Sequence, residues 1–129
     1  MIRLMIVDDE RLVRQLISLI IDWEKEGFKI VGMAENADQG YKLYQECYPD
    51  VIFTDVRLPG VTGLDFAEKI KKENPNIIIV VLSGFDDKEY FEKGKEIGVF
   101  EYLFKPIEER TMIKIAEKIR KEFYQRESY

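Results

Sequence analysis

The sequence predicts an α/β domain in which parallel strands alternate with helices. Short apolar runs rich in Ile, Val and Phe recur along the chain, and such runs are typical of strands buried on both faces. Each run is followed by a longer stretch whose apolar residues have helical spacing. Strands and helices that alternate in this way form a parallel sheet with right-handed crossovers.

Turn residues and breaks in periodicity set the boundaries of the predicted elements. Strands are expected at 2–7, 29–35, 51–55, 77–82 and 99–104, and helices at about 10–21, 37–48, 63–73, 86–97 and 108–123. The first helix is expected to bury a single apolar face, made of Leu12, Val13, Leu16, Ile17 and Ile20. One domain is expected to occupy 1–129, with a polar tail or the start of a linker at 121–129.

Composition excludes several classes of function. The net charge of −5 argues against a nucleic-acid footprint on this domain. The chain has no histidine, which excludes Ser/His and Cys/His nucleophile pairs and His-ligated zinc. Cys47 is the single cysteine, so an intramolecular disulfide is excluded and a reducing compartment is indicated. Any chemistry must therefore depend on carboxylates, hydroxyls, lysine or arginine.

The apolar opening of the chain is expected to be a strand and not a targeting or membrane segment. Residues 2–7 are too few for either, and Asp8-Asp9-Glu10 follows them at once. The sequence therefore predicts a cytoplasmic protein with no membrane contact.

Polar side chains stand where four of the predicted strands end. Asp8 and Asp9 follow the first strand, Asp55 closes the third, Ser83 follows the fourth and Lys105 follows the fifth. In a parallel sheet these ends share one edge, which is where ligands bind. Three carboxylates there would repel one another unless a cation lay among them, and hard oxygen ligands suit Mg²⁺. A hydroxyl and an ammonium beside them would serve an incoming anion, so the pattern predicts an acidic pocket for a metal and a phosphoryl group.

Each of these residues also has an ordinary structural explanation. Asp8 and Asp9 fit the acidic start of a helix, Ser83 fits a turn, and Lys105 fits a solvated surface. Asp55 is harder to explain in this way, because a carboxylate that closes a fully apolar strand is costly unless it is paired. Their joint occurrence at strand ends favours a functional site.

In these motifs the chain resembles the receiver domain of two-component response regulators over essentially its full length. The matching segments are Val-Asp-Asp-Glu at 7–10, Asp55 with Leu-Pro-Gly at 58–60 and Gly63, Leu-Ser-Gly at 82–84, and Tyr-Leu-Phe-Lys-Pro at 102–106. The resemblance implies a flavodoxin-like (βα)5 doubly wound parallel sheet with strand order 2-1-3-4-5.

The resemblance also implies the phosphoacceptor and its metal ligands. Asp55 would accept the phosphoryl group. Mg²⁺, or Mn²⁺ in its place, would be held by Asp8, Asp9, Asp55 and the backbone carbonyl of Arg57.

Phosphoryl binding and switching are implied for residues of the last two strands. Ser83 and Lys105 would bind the phosphoryl oxygens, and Ser83 and Tyr102 would form a switch in which Tyr102 turns inward after phosphorylation. Taken alone, Tyr102 also fits plain strand core. The resemblance further implies a cis peptide bond between Lys105 and Pro106, although most X-Pro bonds are trans.

The implied activity is that of a signalling domain which catalyses only its own phosphorylation and dephosphorylation. The phosphoryl donor would be a sensor histidine kinase, and a homodimer would form through the fourth helix, fifth strand and fifth helix. Segments 22–28 and 83–90 resemble regulators with an AraC-type DNA-binding domain, so DNA would be bound only by an output domain outside these 129 residues. The chain would then be either an excised receiver or a stand-alone one.

Three other functions are considered. A phosphatase of the haloacid dehalogenase type would need a second acid two residues after Asp55, where Arg57 stands. A flavin or nucleotide binder would need a glycine-rich or hydroxyl-rich phosphate loop after the first strand, but the acids at 8–10 would repel a phosphate. An inactive receiver that serves only as an interaction module is the third alternative, and the complete set of pocket residues argues against it.

Overall fold

A computed structural model describes residues 1–84 and 89–127. The strands are β1 (Ile2–Val7), β2 (Phe28–Ala34), β3 (Val51–Asp55), β4 (Ile78–Ser83) and β5 (Glu101–Phe104). The helices are α1 (Arg11–Ile20), α2 (Ala37–Cys47), α3 (Gly63–Glu73), α4 (Phe91–Ile97) and α5 (Glu109–Glu127).

The five strands form one parallel sheet in the order β2-β1-β3-β4-β5. This arrangement confirms the predicted fold class, the alternation of strands and helices, and the strand order implied by the resemblance. Among the described residues, no helix combines the length and the apolar character that crossing a membrane requires.

Helices cover both faces of the sheet, and the strand side chains alternate between them. Along β1, for example, Leu4 and Ile6 pack in one apolar cluster while Met5 and Val7 pack in the other. The first cluster contains residues of α1 and α5, and the second contains residues of α2, α3 and α4. Burial on both faces explains why the central strands are continuous apolar runs rather than alternating ones.

The predicted buried face of α1 was wrong in part. Val13, Ile17 and Ile20 pack into the core, as expected. Leu12 and Leu16, however, are 77% and 44% exposed. At about 100° per residue, Leu12 and Leu16 lie roughly 105° and roughly 65° around the helix from the centre of the core-facing residues. Only the stripe of Val13, Ile17 and Ile20 packs into the core.

Two predicted helix ends also differ from the structure. The last helix was expected to end near Phe123, but α5 continues to Glu127, so residues 121–127 are helical. Arg126 stabilises this end, because its guanidinium pairs with Glu122 at 2.8 Å, one turn earlier. The helix α4 begins at Phe91, and its expected start at Asp86 lies outside the described residues. The remaining boundaries agree with the predictions to within one or two residues.

Candidate functional site

The carboxyl ends of four strands meet at one edge of the sheet and bring the predicted site residues to it. Backbone bonds continue the strand pairing past the last strand residues. Asp8 N–H donates to Ala34 O at 3.0 Å, and Lys105 N–H donates to Ser83 O at 2.9 Å. In the middle of this edge, Asp55 is the last residue of β3 and pairs in register with Leu82.

Three carboxylates converge at this edge and are called here the acidic cluster: Asp8, Asp9 and Asp55. One carboxylate oxygen from each lies within 4.8 Å of the others. Asp8 is fully buried, Asp55 is 6% exposed, and Asp9 faces solvent. The cluster therefore has a buried floor and an open side through which an ion or a phosphoryl group can enter.

The two oxygens of Asp8 differ in their partners. Oδ1 accepts the backbone N–H of Glu10 at 2.8 Å. Oδ2 is buried and accepts no hydrogen bond from the described residues. A buried carboxylate oxygen without a donor is costly, so this atom is a fitting ligand for a cation.

The ammonium group of Lys105 faces the acidic cluster. Lys105 Nζ lies 3.5 Å from Asp55 Oδ2 and 3.9 Å from Asp8 Oδ2. The charge of the Lys105 ammonium does not by itself balance three ionised carboxylates. The donor set therefore fits a hard divalent cation such as Mg²⁺, which binds oxygen ligands and retains waters.

Burial makes the ionised forms of two of these acids unfavourable in the ion-free protein. Burial raises the pKa of Asp8 to about 6, against the opposing hydrogen bond from the Glu10 N–H, and the charge of Asp55 raises it further. Burial also raises the pKa of Asp55, and the ammonium of Lys105 opposes that rise. Ionised Asp8 and Asp55 are therefore unfavourable in the ion-free protein, and a bound cation would stabilise their charged forms.

The loop after β3 is folded tightly around Asp55. The backbone N–H of Arg57 donates to the Asp55 carboxylate, and Gly63 N–H donates to Val56 O at 2.7 Å. A Cβ at Gly63 would overlap the carbonyl oxygen of Asp55 and lie 2.9 Å from its carbonyl carbon. The start of α3 can approach Asp55 this closely only with glycine in that position. Thr62 then caps α3 by accepting the N–H of Asp65 at 3.0 Å.

Ser83 and Lys105 lie on the side of Asp55 formed by β4 and β5. The Ser83 side chain is buried, and its hydroxyl donates to Gly84 O at 3.2 Å. Lys105 is partly exposed, and its peptide bond to Pro106 is cis, as the resemblance implies. The structure therefore brings Asp8, Asp9, Asp55 and Lys105 into direct proximity.

Tyr102 is not part of the acidic cluster. It lies in β5 with its hydroxyl 3.5 Å from the carbonyl of Phe91, the first residue of α4. Its ring packs against those of Phe91 and Phe104, with centroids 4.8 and 6.5 Å away. These contacts connect β5 with α4.

Sequence reasoning missed two contacts around the site. Arg14 donates to the backbone carbonyl of Asp8 at 2.7 Å, which ties α1 to the end of β1. The guanidinium of Arg57 lies 5.8 Å from the ring centroid of Tyr90, which immediately precedes α4. The Arg14 contact could be anticipated from the sequence. Arg14 follows Glu10 by one helical turn, so the two residues lie on the same side of α1, next to Asp8.

Comparison with known families identifies the domain. Residues 4–117 match the family model described as the response regulator receiver domain. The chain belongs to this family. The comparison confirms the resemblance seen in the strand-end motifs, and the matched residues include the whole acidic cluster.

Individual relatives agree with this assignment. YesN of Bacillus subtilis, named an uncharacterized transcriptional regulatory protein, is 34% identical over 119 residues, which are 92% of this chain and 32% of YesN. The receiver domain of AraT, a response regulator from Geobacillus stearothermophilus, superimposes with a TM-score of 0.92 at 26% identity and 97% coverage of each chain. A two-component transcriptional regulator AraC from Clostridium phytofermentans gives 0.91 at 26% identity, with each chain covered completely. The chain spans about a third to a half of the curated relatives that it matches.

Proposed function

We propose that this receiver takes a phosphoryl group onto Asp55 from a phosphohistidine of a sensor histidine kinase. The observation that carries the proposal is the position of Asp55, nearly buried among Asp8, Asp9 and the Lys105 ammonium at the carboxyl edge of the sheet. No histidine occurs in these 129 residues, so the phosphohistidine lies outside them. The Lys105 ammonium lies nearer to Asp55 Oδ2, at 3.5 Å, than to Asp8 Oδ2, at 3.9 Å.

In the proposed reaction an oxygen of the Asp55 carboxylate attacks the phosphorus atom. The O–P bond forms as the N–P bond to the donor imidazole breaks, and the imidazole nitrogen takes up a proton from solvent. The product is an acyl phosphate on Asp55. For such transfers the protein supplies mainly position and neutralisation of charge. Hydrolysis of the acyl phosphate by water would return the carboxylate and release inorganic phosphate.

The proposed cofactor is Mg²⁺, with Mn²⁺ as an alternative of similar ligand preference. Asp8, Asp9, Asp55 and the backbone carbonyl of Arg57 would hold it. The observation that favours this assignment is the buried Oδ2 of Asp8, which accepts no hydrogen bond from the described residues. When bound, the ion would neutralise the acids and the charge on the phosphoryl oxygens.

Ser83 and Lys105 are proposed to bind the phosphoryl oxygens. Lys105 already lies 3.5 Å from Asp55 Oδ2, so its ammonium needs little movement to contact a group attached there. Ser83 is the last residue of β4, next to Asp55 across the sheet, and its hydroxyl can rotate from Gly84 O towards a new acceptor. Both would provide charge-assisted hydrogen bonds, which are stronger than neutral ones.

The proposed output is a change in the α4–β5–α5 face, formed by residues 91–97, 101–104 and 109–127. Movement of Ser83 towards the phosphoryl group would be transmitted to Tyr102 as a shift between two arrangements of this face. Phe104 is 47% exposed on β5, which suits a homodimer contact through the same face.

The proposed role of the whole protein is regulation of transcription in the cytoplasm. Relatives such as YesN are named transcriptional regulatory proteins, and the chain spans only part of their length. DNA would be bound by an output domain outside these 129 residues. The lone cysteine, Cys47, is a free thiol, which agrees with a reducing compartment.

Intact-mass spectrometry with acetyl phosphate tests the phosphoacceptor. With Mg²⁺ the parent should gain one phosphoryl group, and Asp55→Ala and the closer mimic Asp55→Asn should gain none. Addition of EDTA should abolish the gain in the parent. An unmodified parent that is folded and contains bound Mg²⁺ would contradict the proposal and favour an inactive interaction module.

The switch is tested separately with beryllofluoride and Mg²⁺, which together mimic the phosphoryl group. Self-association of the parent should increase on addition of the mimic, and that of Tyr102→Ala should change much less. An identical change in both proteins would remove Tyr102 from the switch.

A further inference from the structure

A glycine in the middle of α4 faces the side chain of Tyr102. Gly94 is buried, and a Cβ at this position would overlap the Tyr102 hydroxyl oxygen and lie 2.8 Å from the ring carbon Cζ. Glycine is a poor helix former, and alanine is the best. At this position in α4, the missing side chain leaves the space that the tyrosine occupies.

The hydroxyl and the ring carbon Cζ of Tyr102 occupy this space. The hydroxyl reaches the carbonyl of Phe91 at 3.5 Å, and the ring is tilted against the Phe91 ring. Tyr102 also packs against the apolar cluster on this side of the sheet, together with Ile97 and Val99. The Tyr102 ring thus packs in a defined position between β5 and α4. It can occupy this position only because Gly94 has no side chain.

The backbone of Gly94 does not itself require glycine. Its φ lies outside the left-handed region, and its carbonyl accepts the N–H groups of Gly98 at 3.1 Å and Val99 at 2.9 Å. Alanine can adopt this helical conformation and keep these hydrogen bonds. A substitution by alanine therefore changes the space available to Tyr102 and leaves the backbone geometry of α4 unchanged.

We propose that Gly94 is a socket that holds Tyr102 against α4 already in the unphosphorylated receiver, so that the inward arrangement of the α4–β5–α5 face is populated before phosphorylation. Phosphorylation would then favour an arrangement that is already populated, as a shift of an existing equilibrium. The socket itself stands on the geometry of Gly94 and Tyr102. Its regulatory consequence rests on the function proposed above for Asp55 and Ser83.

A double-mutant cycle tests the socket by stability. Gly94→Ala is compared in the parent and in a Tyr102→Ala background, with urea unfolding monitored by circular dichroism. Without the ring, alanine should lower the unfolding equilibrium constant by about fivefold, the usual gain for Gly→Ala within a helix. With the ring present, this gain should be lost or reversed. Equal gains in both backgrounds would overturn the proposal, because the two sites would then be independent.

Nitration by tetranitromethane reports directly on the position of Tyr102. The rate at Tyr102, resolved by peptide mass spectrometry, should rise several-fold in Gly94→Ala, while the exposed Tyr48 and Tyr124 serve as internal references. An unchanged rate at Tyr102 would overturn the proposal even if stability fell. Should Gly94→Ala fail to fold, recovery of folding by the added Tyr102→Ala change would support the socket, and failure of both variants would overturn it.

A third measurement separates the socket from the proposed function. Beryllofluoride with Mg²⁺ should lower nitration of Tyr102 further in the parent and should leave it unchanged in Gly94→Ala. If the first two tests succeed and the parent does not respond to the mimic, the socket stands and the proposed coupling from Asp55 fails.

Discussion

Replacing Asp8 with asparagine should stabilise the ion-free protein at neutral pH. Asp8 is fully buried, and its pKa is raised from 3.8 to about 6, chiefly by burial. A tenfold change in acidity corresponds to about 1.4 kcal/mol, so ionised Asp8 costs roughly 3 kcal/mol at pH 7. Asparagine can keep the hydrogen bond from the Glu10 N–H and carries no charge. Its amide nitrogen would face the Lys105 ammonium, so we expect a gain of about 1 to 3 kcal/mol.

The pH dependence of this gain follows from linkage. The folded-state pKa is the higher one, so as pH rises the unfolded protein loses the Asp8 proton first and stability falls. The cost is absent below about pH 4, grows between pH 4 and 6, and is complete above pH 6. Asp8→Asn should therefore match the parent near pH 3.5 and exceed it at pH 7.

Urea unfolding in EDTA at the two pH values measures this difference, with Asp9→Asn as the matched control. Asp9 faces solvent, so its substitution should give a much smaller gain. Added Mg²⁺ should remove most or all of this advantage, because an ion at 100 times its dissociation constant stabilises the parent by about 2.7 kcal/mol and Asp8→Asn loses most of that affinity. The reasoning would be refuted if Asp8→Asn were less stable than the parent in EDTA at pH 7, or if its gain were the same at both pH values.

Three further predictions concern the site and its supports. Gly63→Ala should cost about 2 kcal/mol or more in urea unfolding, because its Cβ would overlap the carbonyl of Asp55; a variant as stable as the parent would show that the loop moves freely. Lys105→Met should slow phosphorylation by acetyl phosphate about tenfold or more while Mg²⁺ binding is kept, as followed by intact mass and by calorimetry; an unchanged rate would contradict the role of the ammonium. Trp23→Phe should cost about 2 kcal/mol, because it leaves the carbonyl of Ile17 without the indole N–H that donates to it at 2.7 Å; thermal unfolding that matches the parent would refute this.

The sheet and the acidic cluster were predictable because their signals are local and strong. A strand buried on both faces is a continuous apolar run, and the run before Asp55 ends abruptly in a carboxylate. Once the strands are parallel, their carboxyl ends share an edge, so the meeting of Asp8, Asp55 and Lys105 follows from topology alone.

Other features depend on contacts that a linear pattern does not encode. Leu12 and Leu16 have the same periodicity as their core-facing neighbours, and only the rotation of α1 against the sheet decides which stripe is buried. Asp8 and Asp9 are adjacent and identical in type, but the structure buries the first and exposes the second. The fit between Gly94 and Tyr102 depends on the distance between α4 and β5, which no spacing in the sequence reveals.

The central claim is that the acidic cluster holds a divalent cation beside the phosphoacceptor. A crystal grown with Mn²⁺, examined for anomalous scattering at the manganese edge, tests it directly. We predict one ion bound by Asp8, Asp9 and Asp55, and its loss in Asp8→Asn. Side chains that point apart with no ion between them would contradict the account.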